Sequence, residues 1–122
     1  MQYLVLIYSE EPSGAPDPAQ IGAVMEEYNG YTQMLRDTGR YVAGEALQPT
    51  ATATTVRIRD GQTLTTDGPF AETKEALGGF YLVEVKDLDE ALELGAACPG
   101  AKWGSIEVRP IVDFAAGQLP SS

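Results

Sequence analysis

Residues 78–100 read "GGFYLVEVKDLDEALELGAACPG", and the fold turns on how this stretch divides. Phe80, Leu82 and Glu84 alternate with Tyr81, Val83 and Val85, the period of two that marks a strand with two unlike faces. Asp87, with Glu90 three residues on, forms a capping-box-like helix start. Leu88, Ala91, Leu92 and Gly95 then fall on one helical face. "SIEVRPIV" (105–112) is a further strand, with Ile106, Val108 and Pro110 on one side and Glu107, Arg109 and Ile111 on the other.

Towards the N-terminus the same elements recur. "YLVLIY" (3–8) is apolar on both alternating faces, so this strand needs cover on both sides. "SEEPSGAPDP" (9–18) is a turn-rich loop whose Asp17 and Pro18 have the pattern of an N-cap followed by proline at the first helical position. Ile21, Val24, Met25, Tyr28, Tyr31 and Leu35 recur at helical spacing, and Gly39 ends the helix. "RYVAGEAL" (40–47) is a second strand, interrupted by Gly44, and "QPTATAT" (48–54) a connector. "TVRIR" and "QTLTT" around Asp60-Gly61 form a β-hairpin, since Asp-Gly supplies the positive backbone angles of a two-residue turn.

Without the hairpin, the order is βαββαβ. This is the ferredoxin-like α+β arrangement, an antiparallel sheet with two helices on one face and here an inserted β-hairpin. One domain over residues 1–122 accounts for the whole chain. If Tyr81, Val83, Val85, Ile106, Val108 and Pro110 face the helices, then Phe80, Leu82, Glu84, Glu107, Arg109 and Ile111 face away. That second face is too apolar for bulk water, and a homodimer that covers it and traps a polar cleft resolves the conflict.

Composition narrows the function. Eighteen acidic against eight basic residues give a formal charge of −10, which repels a phosphate backbone and argues against nucleic acid and anionic membranes as partners. No apolar run approaches the roughly 20 residues needed to span a bilayer, and the opening "MQYLVLIYSEEP" lacks the basic start of a secretory signal. A cytoplasmic location is expected. The single cysteine, Cys98, reads as a small buried residue beside Pro99. The chain has no histidine, which removes Ser-His-Asp and Cys-His catalysis and most zinc and iron sites. No EF-hand-like loop occurs, so neither a metal nor a cofactor is expected.

"DGPFAETKE" (67–75) concentrates the chemistry. Gly68 opens conformations closed to other residues, Pro69 ends the hairpin strand, and Phe70 is read as a buried anchor for the loop. Asp67 reads as a turn residue accepting from amides just downstream. Functionally, Asp67, Glu72 and Glu75 are the candidate acid–base groups, because neighbouring carboxylates and an ammonium can separate their pKa values. Lys74 and Arg109 are the candidates for holding an anionic substrate, with Phe70 and Tyr28 beside them. Gly78 and Gly79 read as a bulge or a close backbone approach.

"LTTDGPFAETKEALGGFYLVEV", preceded by "TVRIRDG" and followed by "DLDEALELGAACPGAKWGSIEVRPI", resembles the DGPF branch of the YCII-related domain family. The resemblance implies a dimeric α+β barrel of ferredoxin-like protomers. Asp67, Gly68, Pro69, Phe70, Glu72, Lys74, Glu75, Gly79, Glu107, Arg109 and Pro110 match its pattern. It also implies a regulatory setting, since members of the branch are commonly encoded beside sigma factors of the extracytoplasmic-function type. Wider relatives, one resembling a dehydrochlorinase, carry a His and Asp pair for acid–base chemistry. The His has its loose counterpart near Tyr28, so that mechanism does not transfer intact. Two functions stay open: small-molecule binding in a dimer cleft with lyase- or isomerase-like proton transfer, or a non-catalytic module acting with a sigma factor.

Overall fold

The computed structural model describes residues 1–15 and 17–120; Pro16, within the turn-rich loop, and residues 121–122 lie outside them. The elements are β1 (Gln2–Ser9), α1 (Pro18–Asp37), β2 (Tyr41–Ala46), β3 (Thr54–Arg59), β4 (Gln62–Asp67), β5 (Ala76–Glu84), α2 (Leu88–Ala97) and β6 (Ser105–Pro110). Short 3-10 turns stand at Thr50–Thr52, Pro99–Lys102 and Phe114–Ala116.

β2, β5, β1 and β6 lie side by side in that order, each antiparallel to its neighbour. This is the α+β, ferredoxin-like arrangement expected from the strand order. β1, apolar on both faces, occupies an inner position between β5 and β6. β3 and β4 form a separate two-stranded sheet, closed at Asp60 and Gly61, both with positive φ.

Both helices pack on one face. Tyr3, Val5, Val83 and Val85 of the sheet side meet Tyr31 and Leu35 of α1, Ala91 and Leu94 of α2, and Cys98, with Tyr81, Ile106 and Val108 packed against them. The face assignment made from alternation is therefore correct for β5 and β6. On the opposite face Leu4, Phe80 and Leu82 remain half-buried, between the exposed Glu84, Glu107 and Arg109. Gly78 is the extra residue where the β1–β5 register shifts, since Ile7 pairs with Gly79 and Tyr8 with Leu77. A Cβ on Gly79 would stand 2.9 Å from the Glu45 carbonyl oxygen, so only glycine lets β2 approach there.

The helix ends follow their sequence signals with one exception. Asp17 Oδ1 accepts from the Ala19 amide at 3.0 Å, and Pro18 takes the first turn. Gly39 donates to the Arg36 carbonyl and Arg40 to the Leu35 carbonyl, satisfying two terminal acceptors of α1. Asp87 Oδ1 accepts from the Glu90 amide at 2.9 Å. Glu90, however, does not complete the box, because its carboxylate accepts from Arg40 Nε at 2.7 Å.

The helical stripes are used differently from their sequence reading. In α2 the buried positions are Ala91, Leu94 and Gly95, while Leu88 and Leu92 are exposed. Leu94, which the stripe omitted, outranks them because the helix turns that side to the sheet. In α1 only Tyr31 and Leu35 are buried; Ile21, Val24 and Met25 are exposed although they share the stripe. The first half of α1 thus carries apolar residues beyond the core. No helix among the described residues is long and apolar enough to cross a membrane.

Candidate functional site

Asp67 ends β4 opposite Thr54, exposed, so its place is in the strand register and not as a cap on the loop. The turn that follows is fixed from the backbone. Gly68, at φ +96°, adopts a left-handed conformation that disfavours other residues. Its amide donates to the Ala53 carbonyl at 2.7 Å, and its carbonyl accepts from Thr55 Oγ1 at 2.8 Å. These two bonds tie the loop to the start of β3. Phe70 does not anchor it: the ring is 80% exposed, because the loop runs over the surface with the body on its other side.

From Gly68 to Lys74, seven consecutive residues line one cleft of about 810 Å³. Tyr8 near the end of β1, Glu11 from the chain after it, and Thr50 from the connector also line it. Glu11 Oε1 accepts from the Thr50 amide at 2.8 Å and Glu11 Oε2 from Thr50 Oγ1 at 3.0 Å, lacing the two segments together. Lys74 Nζ stands 3.3 Å from Glu10 Oε1 with both side chains exposed, a pairing worth about 1 kcal/mol or less. Glu72 lines the cleft without such a tie among the described residues. Thr73 Oγ1 donates to the Glu75 carbonyl at 2.6 Å, and the half-buried Glu75 accepts a long hydrogen bond from Ser105 Oγ at 3.4 Å.

The fold brings only part of the candidate set together. Phe70, Glu72 and Lys74 share the cleft, and Glu75 borders Ser105 at the start of β6. Arg109 lies four residues further along β6, about 13 Å at strand rise, opposite Leu4 and 3.9 Å from Glu107 Oε1. Lys74 and Arg109 therefore do not form one anion clamp within a protomer. Tyr28 belongs to a different cavity, on the helix side of the sheet. Burial, with the Cys98 thiol beside it, pushes its phenol above the ordinary range and keeps it protonated.

Glu11, Tyr8 and Thr50 were not legible as site residues. Glu11 and Thr50 are 39 positions apart, and only the pairing of two chain excursions joins them. The acid pair Glu10-Glu11 directly after a buried strand was the one available signal.

A family model described as the YCII-related domain matches residues 1–115. The chain belongs to the YCII-related domain family. It is also 39% identical, over 124 aligned positions, to an uncharacterised protein of Rhizobium meliloti (strain 1021), the alignment covering 99% of this chain and 100% of that protein. Within this YCII-related domain residues 68–74 form a cleft wall on the sheet face opposite the helices, since Tyr8 alternates with the core-facing Ile7.

Proposed function

We propose that this YCII-related chain, of the DGPF branch, is a cytoplasmic homodimer that binds a small polar molecule in the cleft under the 67–75 loop. The observation that carries this reading is the alignment of seven consecutive motif residues along one cleft, where solvated turns would face outward separately. Lys74 supplies the positive charge and Glu72 the carboxylate without a hydrogen-bond tie, the pair from which proton transfer on a bound substrate would start. Glu75 and Asp67 flank them, Glu75 nearer to the sheet and Asp67 at the hinge of the hairpin. Homodimer formation through Leu4, Leu6, Phe80 and Leu82 would roof the same side of the sheet and complete a dimeric α+β barrel.

Thermal-shift screening with small carboxylic acids and amines tests the site. Hits are expected to stabilise the wild type and to lose their effect in Lys74→Ala and Glu72→Gln. Hits that act equally on both variants place the ligand elsewhere. Turnover of a hit, followed by solvent deuterium incorporation, decides between binding and lyase- or isomerase-like catalysis.

The charge of −10 favours a second reading, a regulatory module that docks its acidic surface on an extracytoplasmic-function sigma factor. Capture of such a purified factor should weaken steeply between low and physiological salt. Salt-insensitive capture, or none, sinks it.

A further inference from the structure

Val24 and Met25, two of the apolar residues of α1 that lie beyond the core, help to line a second cavity of about 570 Å³, between the middle of α1 and the β2–β5 edge of the sheet. We propose that it is a binding site for an uncharged aromatic molecule bearing a hydrogen-bonding group. The inference is independent of the loop cleft, which opens on the opposite side of the sheet: Tyr8 lines that cleft, whereas Ile7 and Ser9 line this one.

Its size lies within the range of small-molecule pockets, and its lining is aromatic and neutral. Tyr28, Tyr41, Tyr81 and Trp103 all contribute. Glu45 is the one acidic or basic residue in the lining. It pairs across the strands with Phe80, so its side chain lies on the face away from the helices. In a chain of charge −10, a cavity free of inward charge selects against ionised ligands, whose desolvation nothing would offset.

The rings are held before any ligand arrives. Tyr81 stands edge-on to Tyr31 at 5.2 Å and to Tyr41 at 6.4 Å, and its hydroxyl shares a 2.7 Å hydrogen bond with Thr32 Oγ1. Ordering costs on binding are correspondingly small. The Thr32–Tyr81 hydroxyl pair retains acceptor capacity towards a guest, and the Asn29 amide adds donors and an acceptor. An organic cation is the other guest that aromatic walls attract. Here two ring faces are already taken, Tyr41 by the Arg36 guanidinium at 4.1 Å and Trp103 by the Lys102 ammonium at 5.4 Å.

The mouth completes the case. Val24, Met25 and Trp103 line the cavity yet are 36%, 59% and 48% exposed. Val24 and Met25 stand on the helical stripe at this mouth, placed to close on an apolar guest, and Met25 is adaptable enough to do so.

The test uses N-phenyl-1-naphthylamine, an uncharged fluorescent aromatic, with 1-naphthol, naphthalene, 1-naphthoate and tetramethylammonium as competitors. The wild type should bind the probe saturably, and 1-naphthol should compete best. Met25→Glu, at an exposed position that spares the core, should weaken the probe about tenfold or more. Thr32→Val should weaken 1-naphthol about fivefold and leave naphthalene unchanged. Lys74→Ala, in the other cleft, should change nothing, and each variant's circular dichroism melting curve verifies its fold. Equal probe binding by folded Met25→Glu, no saturable binding by the wild type, or stronger competition by naphthoate or tetramethylammonium overturns the proposal.

Discussion

The Tyr31 hydroxyl donates to the Leu94 carbonyl at 2.7 Å from a ring only 5% exposed. Burial, with Cys98, Tyr81 and Tyr28 nearby, pushes its phenol above the ordinary range near 10. The folded state therefore favours the protonated phenol, and the unfolded chain ionises first as pH rises past about 10. This contribution to stability is complete below that pH and declines above it. Tyr31→Phe should cost about 1 kcal/mol at pH 7, and the deficit should shrink as urea midpoints are taken from pH 9 to pH 11, since phenylalanine does not ionise. A constant deficit would contradict the buried hydrogen bond. Cys98, 1% exposed and with its thiol pushed up chiefly by burial, should resist iodoacetamide at neutral pH until denaturant is added, as mass spectrometry would show. Its burial could be read from a small apolar residue beside a helix end. The exposure of Phe70 could not, because nothing local records that the loop's opposite side meets the body.

Alternation and capping made most elements legible, since both are local. The two faces of β5 follow from Phe80 to Val85, and α1 starts where Asp17 and Pro18 place it. Asp17→Ala or Asp87→Ala should each lose about 1 kcal/mol in urea titrations, and unchanged midpoints would mean that the caps are idle. What α2 buries depended on Leu94, whose choice over Leu92 is made by the sheet and not by the period. The hairpin turn was legible at Asp60-Gly61, and so was its standing as an insert outside the four-stranded order, but not what its faces meet. Val56, Ile58 and Leu64 are exposed, with apolar and polar groups mixed on both ribbon faces, so no burial pattern assigned them a neighbour. Two-stranded ribbons are marginal in water. Amides of β3 and β4 should exchange with deuterium well before those of β1 and β5; equal protection would show that another surface covers the ribbon.

For the whole molecule, the excess of apolar residues on the far sheet face was legible from β5 and β6 together. The cleft itself was not, because it needs the chain after β1, the connector and the loop at one place. In the proposed homodimer, Leu82→Lys, at a half-buried position on that face, should shift sedimentation equilibrium to monomer while the melting curve remains cooperative, and a wild type that sediments as a monomer would remove the interface altogether. An unaltered dimer would move the interface elsewhere.

Ala46 of β2 pairs with Gly79 of β5, and the Leu47 amide donates to the Gly78 carbonyl at 2.8 Å. Everything from the connector through the hairpin to the charged loop therefore leaves and re-enters the scaffold at a single closed doorway. Residues 48–77 have the layout of a cassette: a two-residue turn could bridge 47 and 78 at the loss of the Tyr8–Leu77 and Ser9–Ala76 pairs and of the surface ties to Glu10, Glu11 and Ser105. Evolution, or a designer, can thus exchange the chemistry of the loop cleft without renegotiating the sheet that carries it.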